Sequence, residues 1–314
     1  MKVYYSIEDV KPLAGSVVAI GIFDGVHVGH KKIIQETCRR ARRLGLKSVL
    51  VTFDPHPLKV TRPAMNPATL ISLGRRLALI GDMGIDIAIV VDFTKETASL
   101  RAHEFVETFL VDTLKAREVV VGEDFRFGRG RTGDIRLLKF LGGIYGFKAV
   151  PIRTVKVAGR KASSSLIRSL IMKGDLAGAG ALLARPVSIF GSVVRGARIG
   201  GMVLGYPTAN INPYHEAIPP SGVYAVKVRY GGRWYGAVTN IGFRPTIHHM
   251  AKEPVIEVHI FGFRKKDIYG KDLRIDFLKR LRPERHFRHK DALIAQIRLD
   301  SLRAQKILAF RVRP

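Results

Sequence analysis

The stretch GIFDGVHVGH, residues 21–30, ends an apolar, β-branched run and opens a helical pattern that continues to Leu44. At such a strand-to-helix connection, free backbone N–H groups and the helix dipole attract a phosphate. His27 and His30 are three residues apart around Gly29, so both can face one anion. Imidazoles placed there can stabilise charge during nucleotidyl transfer. The stretch therefore predicts a phosphate site, although histidines that only cap or pack would show the same pattern.

Strand-like and helix-like segments alternate on both sides of this stretch. The strand-like runs are Val17–Phe23, Ser48–Phe53, Asp86–Phe93, Arg117–Gly122 and Ala149–Val157, and the helical patterns are Lys31–Leu44, Leu70–Met83, Ala102–Leu114 and Asp134–Gly143. This alternation predicts an α/β, Rossmann-like domain with a parallel sheet covered on both faces. Ligands of such sheets bind at the carboxyl ends of the strands.

Further motifs fall where strands of this sheet are expected to end. Phe53-Asp54-Pro55-His56-Pro57 ends the second strand, and Gly122–Gly128 (GEDFRFG) ends a later one. Ser163–Arg168 (SSSLIR) supplies hydroxyls at a helix start and an arginine suited to phosphate. Four phosphate-compatible motifs on one edge argue against coincidence.

The second half has a different pattern of short strands joined by Gly and Pro turns. These strands are Val187–Val194, Gly222–Tyr230, Arg233–Ile241, Val255–Phe261 and Leu273–Leu278. Tyr230-Gly231-Gly232-Arg233 is typical of a hairpin. The pattern predicts a small antiparallel β-barrel with a C-terminal helix at about 290–310. The Arg185-Pro186 step marks the expected boundary between domains 1–185 and 186–314.

A second set of polar residues lies on the expected barrel. Thr208 and Asn210 are two apart, so in an extended segment they point to one side, where their oxygens suit Mg²⁺. An ordinary turn around Pro207 would show the same residues. Glu257 lies in an apolar strand, where a carboxylate is costly to bury without a role or a partner. It can serve as a general base for a hydroxyl or form a structural salt bridge.

The motifs of the first half resemble those of the bacterial bifunctional riboflavin kinase/FAD synthetases, in the module that adenylylates FMN within the HxGH nucleotidyltransferase superfamily. GIFDGVHVGH, TFDPHP, VVGEDFRFG and SSSLIR carry the resemblance over about residues 1–185. It implies that His27 and His30 act at the ATP α-phosphate, and that Asp124, Phe125 and Phe127 lie on the FMN side. The implied ATP-binding residues are Gly21, Phe23, Asp24, Gly29, His56, Ser164, Ser165 and Arg168. Gly74-Arg75-Arg76 departs from the family, where Glu-Lys is common.

The second half resembles the riboflavin kinase domain of the same family. LGYPTANI, GVYAV, NIGFRPT and IEVHI carry the resemblance over about residues 186–314. It implies that Thr208 and Asn210 hold Mg²⁺–ATP and that Glu257 activates the riboflavin 5′-hydroxyl. The other implied residues are Gly191, Gly196 and Gly200 for ATP, and Asn240, Arg244 and Thr246 on the flavin side. Met202 stands where relatives usually carry a basic residue.

The composition fits a globular protein of two domains. The chain has 314 residues, 46% of them hydrophobic and 25% charged. No apolar run is long enough to cross a bilayer, and residues 1–10 do not resemble a signal peptide. Cys38 is the only cysteine, which excludes an intrachain disulfide. We therefore expect a cytoplasmic protein that does not bind membranes.

A net charge of +27 favours polyanionic partners in general. A basic host proteome or a surface adapted to heat would also account for it. Three hypotheses follow: a bifunctional enzyme, an enzyme in which Met202 or the 74–76 change marks a lapsed site, or a nucleic-acid-binding protein. Since the informative residues lie in two phosphate sites, we favour the first, with small-molecule substrates and neither an obligate protein partner nor a nucleic acid. The oligomeric state stays open.

The first predicted helix also carries a basic run near its end. Arg39-Arg40 and Arg42-Arg43 complement the negative end of the helix dipole there. We expect these four side chains to face solvent.

Overall fold

The computed structural model describes residues 1–195, 207–214, 216–245, 252–263 and 268–310, without the side chains of 243–245, 252–254 and 310. By their internal contacts these residues form two compact units. The first comprises Met1–Thr69 and Leu73–Ser164, and the second comprises Leu70–Ser72 and the chain from Ser165 onward.

A parallel six-stranded sheet organises the first unit, in the order β1-β4-β3-β2-β5-β6. The strands are β1 Lys2–Tyr4, β2 Ser16–Ile20, β3 Lys47–Asp54, β4 Ile87–Asp92, β5 Ala116–Gly122 and β6 Lys148–Ile152. The α/β prediction is confirmed. A short antiparallel hairpin, β7 Lys156–Val157 and β8 Arg160–Lys161, follows the sheet.

Helices cover both faces of this sheet. The helices of the first part of the chain are α1 Val28–Leu44, α2 Pro57–Thr61, α3 Leu73–Gly81, α4 Lys95–Ser99, α5 Ala102–Phe105 continued by a π-helical segment Val106–Thr113, and α6 Ile135–Tyr145. On β4, Ile89 packs in a cluster with α5 and α6, whereas Ala88 and Val90 pack with Leu77 of α3. Alternate side chains of the strand therefore bury two separate layers, as a doubly covered sheet requires.

The arginine run of α1 only partly faces solvent. The Arg40 side chain is 15% exposed, and its guanidinium donates to Glu36 at 2.6 Å and to Glu118 of β5 at 2.8 Å. The expectation of a solvent-facing run is wrong for Arg40, because the buried Glu118 carboxylate needs a cation. Arg39 is 58% exposed, as expected.

A closed antiparallel barrel organises the second unit, in the order β10-β13-β12-β11-β14-β9. Its strands are β9 Ser188–Val194, β10 Ala209–Pro213, β11 Gly222–Tyr230, β12 Arg233–Pro245, β13 Lys252–Ile260 and β14 Asp272–Arg282. The predicted barrel is confirmed, and β10 is an additional strand. Gly231 and Gly232 form the predicted hairpin turn with φ values of 54° and 80°, which glycine adopts without strain.

Three helices belong mainly to the second unit: α7 Ser164–Lys173, α8 Leu176–Leu183 and α9 Lys290–Phe310. The bounds of α9 agree with the predicted C-terminal helix, and α9 packs on β11 and β12. A side chain at Gly236 of β12 would come within 2.7 Å of Leu308, so glycine allows the helix to approach. Among the described residues, we find no helix with the length and apolar character to cross a membrane.

Candidate active sites

The first site is built around the start of α1. His27 is its N-cap, and His27 Nδ1 accepts a hydrogen bond from the backbone N–H of His30 at 3.3 Å. The two imidazole rings stack with centroids 3.6 Å apart and planes 17° apart. Because Nδ1 accepts, the proton of neutral His27 is on Nε2. In this tautomer Nε2–H of His27 is a hydrogen-bond donor.

The loop before α1 adopts an unusual backbone conformation. Phe23 and Val26 have φ values of 53° and 41° and are almost fully buried. Such left-handed conformations of non-glycine residues cost about 1–3 kcal/mol each and persist only where the surroundings enforce them. A side chain at Gly29 would meet the His27 ring at 3.1 Å. This loop conformation and Gly29 together position the histidine pair.

A cavity of about 260 Å³ opens beside the two histidines. The sequence-predicted residues that line it are Gly21, Phe23, His27, Gly29, His30, Asp124, Phe125 and Ser164. Residues of GIFDGVHVGH, of GEDFRFG and of SSSLIR thus line one cavity. Ser164 Oγ donates to the Asp24 carbonyl oxygen at 2.8 Å, which joins the serine motif to the histidine loop.

The cavity is also lined by two cations that the sequence did not indicate, Lys161 and Arg153. Lys161 Nζ lies 2.9 Å from Asp124 Oδ2, and Arg153 also lines the cavity. The Lys161 ammonium lowers the pKa of Asp124, mainly through this hydrogen bond, and keeps that carboxyl ionised. A run of cations around a strand-end hairpin was the available signal for these residues.

The remaining residues assigned to adenylylation do not line this cavity. Asp24 and His56 are buried, and His56 Nδ1 accepts from the backbone N–H of Leu58 at 3.1 Å as the N-cap of α2. Phe127 packs in the core cluster rather than at the cavity wall. Ser165 and Arg168 lie on α7 in the second unit.

The second site lies on the outer face of the barrel. Glu257 of β13 pairs directly with Asn210 of β10 on one side and with Asn240 of β12 on the other. Directly paired residues of antiparallel strands share a face, with Cβ atoms about 4.5–5.5 Å apart. Each of the three has a buried isoleucine beside it in its strand, Ile211, Ile256 or Ile241, so this row of three faces outward. Register thus brings the predicted base between two predicted amides.

Two contacts fix this row. The buried Thr239 donates its hydroxyl to the Glu257 carbonyl oxygen at 3.0 Å. His259 Nδ1 lies 2.9 Å from the Pro207 carbonyl oxygen and, since a carbonyl only accepts, Nδ1 is the donor. Within the part of the chain that the structure describes, Glu257 forms no ion pair.

The oxygen atoms at this site suit a hard cation. Thr208 is exposed next to Pro207, and the Asn210 amide lies beside the Glu257 carboxylate. Hydroxyl, amide and carboxylate oxygens, completed by water and nucleotide phosphates, are ligands that Mg²⁺ accepts. The described residues contain no cluster of three or more His, Cys, Asp or Glu side chains able to hold a metal without such help.

Two other residues assigned to the kinase, Gly191 and Arg244, lie on strands of the barrel. A side chain at Gly191 would clash with the Asn212 carbonyl oxygen, so this glycine permits β9 and β10 to pair. Arg244 lies in β12 opposite Glu253. Gly196, Gly200 and Thr246 lie outside the described residues.

Each half of the chain matches a known protein family. The FAD synthetase family model matches residues 9–166, and the riboflavin kinase model matches residues 183–308. A bifunctional riboflavin kinase/FMN adenylyltransferase of Buchnera aphidicola is 36% identical over 98% of both chains, and that of Escherichia coli strain K12 is 36% identical over 94% of this chain and 93% of its own.

A solved structure matches the whole chain as well. The crystal structure of a macrolide-efflux protein from Streptococcus pneumoniae has a TM-score of 0.85 and 29% identity, covering 96% of this chain and 98% of its own. The family matches and the near-complete coverage of the relatives lead to one conclusion: the chain belongs to the bifunctional riboflavin kinase/FMN adenylyltransferase family.

Proposed function

We propose that the two activities of this family occupy two separate sites in this chain. Domain 186–314 phosphorylates riboflavin with ATP to give FMN, and domain 1–185 joins FMN to the adenylyl group of ATP to give FAD and pyrophosphate. The observation that carries the proposal is the capped, stacked pair His27 and His30 at the mouth of the cavity. We also propose a cytoplasmic location, which the single free cysteine fits.

In the adenylylation site, the phosphate oxygen of FMN attacks the α-phosphorus of ATP while pyrophosphate leaves from the opposite side. His27 and His30 donate hydrogen bonds to the oxygens of the α-phosphate as negative charge increases there. The free backbone N–H groups at the start of α1 add to this stabilisation. Phe125 and the paired Asp124 and Lys161 form the wall on the FMN side.

Three further residues extend the ATP side of this site in our proposal. His56, as a neutral cap with its proton on Nε2, donates toward the nucleotide. Ser165 and Arg168 hold the departing phosphates, since a hydroxyl and a guanidinium are both strong donors to phosphate.

In the kinase site, Glu257 accepts the proton of the riboflavin 5′-hydroxyl as that oxygen attacks the γ-phosphorus of ATP, and ADP leaves. Asn240, Arg244 and Thr246 orient the flavin, while Gly191, Gly196 and Gly200 border the ATP. Thr208 and Asn210 hold Mg²⁺, which when bound neutralises charge on the ATP phosphates. Asn210 and Asn240 flank the base, so the register of the strands directs the Glu257 carboxylate to one place.

The test follows flavins by chromatography, with riboflavin, ATP and Mg²⁺ in one reaction and FMN in place of riboflavin in another. We expect FMN followed by FAD in the first and FAD in the second. His30→Ala should abolish FAD formation and keep FMN formation, and Glu257→Ala should do the reverse when FMN is supplied. Loss of both activities from either substitution in folded protein would contradict two separate sites.

A further inference from the structure

An arginine side chain lies in the core of the first unit. Arg76 is on the apolar face of α3 with Leu77 and Ile80, and only 1% of it is exposed. Burying a guanidinium is costly unless hydrogen bonds and countercharges compensate for its lost hydration. The contacts of Arg76 therefore show how this cost of burial is offset.

Arg76 contacts the carboxyl ends of two neighbouring strands at once. Its Nη1 donates to the carbonyl oxygens of Ile22 at 3.0 Å and Phe53 at 3.1 Å, and to Thr52 Oγ1 at 3.2 Å. Its Nη2 lies 3.6 Å from Asp54 Oδ1. Thr52 in turn donates its hydroxyl to the Ile22 carbonyl oxygen at 3.0 Å.

These contacts lie at the start of both histidine motifs. Ile22 precedes Phe23, the first left-handed residue of the loop that leads to His27 and His30. Phe53 and Asp54 begin the turn that ends at His56, the N-cap of α2. One guanidinium therefore joins the two segments that place three of the histidines assigned to ATP.

Two nearby carboxylates offset part of the cost of burying the Arg76 charge. Burial lowers the pKa of the guanidinium, and the carboxylates of Asp24 and Asp54 act in the opposite direction. A lysine ammonium could replace only Nη1, which makes all three hydrogen bonds, whereas the guanidinium also places Nη2 3.6 Å from Asp54 Oδ1. This difference gives a chemical meaning to the departure at Gly74-Arg75-Arg76.

We propose that Arg76 is a positioning residue for FMN adenylylation, holding the histidine loop and the His56 turn together from beneath. This inference rests on the proposed adenylylation site. Since Arg76 is buried, it acts through Ile22 and Phe53 and not on the substrate itself. Its loss should lower the rate of the chemical step more than the affinity for substrates, because the histidines would be displaced in the transition state.

The experiment compares Arg76→Met, Arg76→Lys and Thr52→Val, measuring both activities in the same preparations. Arg76→Met should lower kcat for FAD formation about a hundredfold while KM for FMN changes less than about threefold. Arg76→Lys should recover part of the loss. Thr52→Val, which removes one bond to Ile22, should cost about fivefold. Riboflavin phosphorylation should be unchanged in all three.

His30→Ala, measured in parallel, separates this inference from the proposed function. If His30→Ala abolishes FAD formation and folded Arg76→Met does not lower kcat, the role of Arg76 is wrong and the site stands. If His30→Ala still forms FAD, the site itself is wrong. An equal fall of both activities in Arg76→Met also overturns the inference. If Arg76→Met does not fold, unchanged kcat in both Arg76→Lys and Thr52→Val overturns it.

Discussion

The two sites of this chain place their chemical groups by different physical means. In the first unit, the histidines depend on a loop with left-handed residues and on capping of α1. On the barrel, Glu257 and its two asparagines are neighbours because three strands pair in one register. The first site relies on local backbone geometry, and the second relies on long-range hydrogen bonding of a sheet.

This difference teaches where each site is sensitive. A loop that holds disfavoured φ values has few alternative conformations that keep its side chains in place, so small added volume is felt at once. A strand register changes only by a whole residue, which would turn Glu257 to the opposite face of the barrel. Small local changes should therefore harm adenylylation more than phosphorylation.

A larger side chain in the histidine loop should have the largest effect, and it tests whether adenylylation is the more sensitive reaction. Gly29→Ala would place a Cβ at 3.1 Å from His27 Cε1, and the stacked His30 ring restricts where His27 can move. We expect kcat for FAD formation to fall about tenfold, since a displacement of a few tenths of an ångström costs less than a full ångström would. Riboflavin phosphorylation should keep its rate. Steady-state kinetics of the two reactions measure this.

A matched glycine substitution shows whether the effect is local. Gly143 lies in α6 of the same unit, and a Cβ there would meet nothing within 4 Å. Gly143→Ala should leave FAD formation unchanged. An equal loss in both variants, or no loss in Gly29→Ala, would mean that the loop is not the sensitive element.

The sequence predicted the edge of the sheet where the first site lies, but it did not predict the contacts of Arg76 that hold the loops at this edge. GIFDGVHVGH and SSSLIR are local patterns at strand ends, and residues from both line one cavity. Arg76 could be recognised only as a charge at a core position of α3, because its partners Ile22 and Phe53 are distant in sequence. Hydrogen bonds between distant segments leave little trace in local periodicity.

The same limit applies to the barrel. No separate strand was predicted for β10, because Pro207, Asn210 and Asn212 are turn formers. Its partners, β9 and β13, supply the hydrogen bonds that make it a strand. The position of Glu257 between two asparagines is a property of that pairing, so it could not be derived from Glu257 alone.

A smaller effect should come from a substitution of His259, which tests the site on the barrel. His259→Phe keeps an aromatic ring beside Phe261 but removes the hydrogen bond to the Pro207 carbonyl oxygen. Losing about 1 kcal/mol there should raise KM for ATP in riboflavin phosphorylation about fivefold and change kcat less. FAD formation should be unaffected. His286→Ala, which removes an exposed histidine of the same unit, is the control. A fall in kcat with constant KM would contradict a role in holding the Thr208 segment.

The smallest effect should be on the stability of α1, the helix that carries the histidine pair. Glu36 accepts hydrogen bonds from Arg39 and Arg40 at 2.6 Å. Led by the hydrogen bond from Arg39, these contacts lower the pKa of Glu36 from 4.5 to about 2. A depressed carboxyl pKa stabilises the folded state above the unfolded pKa and loses this contribution as pH falls through the folded value. Glu36→Gln should therefore destabilise the first unit by about 1 kcal/mol at pH 7, with the difference from the native chain shrinking between pH 4.5 and about 2.

Urea unfolding across this pH range can follow the two units separately. Helix signal by circular dichroism reports on the helices of both units, whereas Trp234, the only tryptophan, reports on the barrel, so a transition that moves in circular dichroism but not in Trp234 fluorescence belongs to the first unit. The barrel transition should not move in Glu36→Gln, nor should either transition move in Glu8→Gln, which removes an exposed carboxylate from the first unit. A destabilisation that stays constant down to pH 3 would show that Glu36 acts through packing and not through its charge. A shift of the Trp234 transition would show that the two units do not unfold independently. A local change in the first unit would then also affect the barrel, which contradicts the separate sensitivity of the two sites.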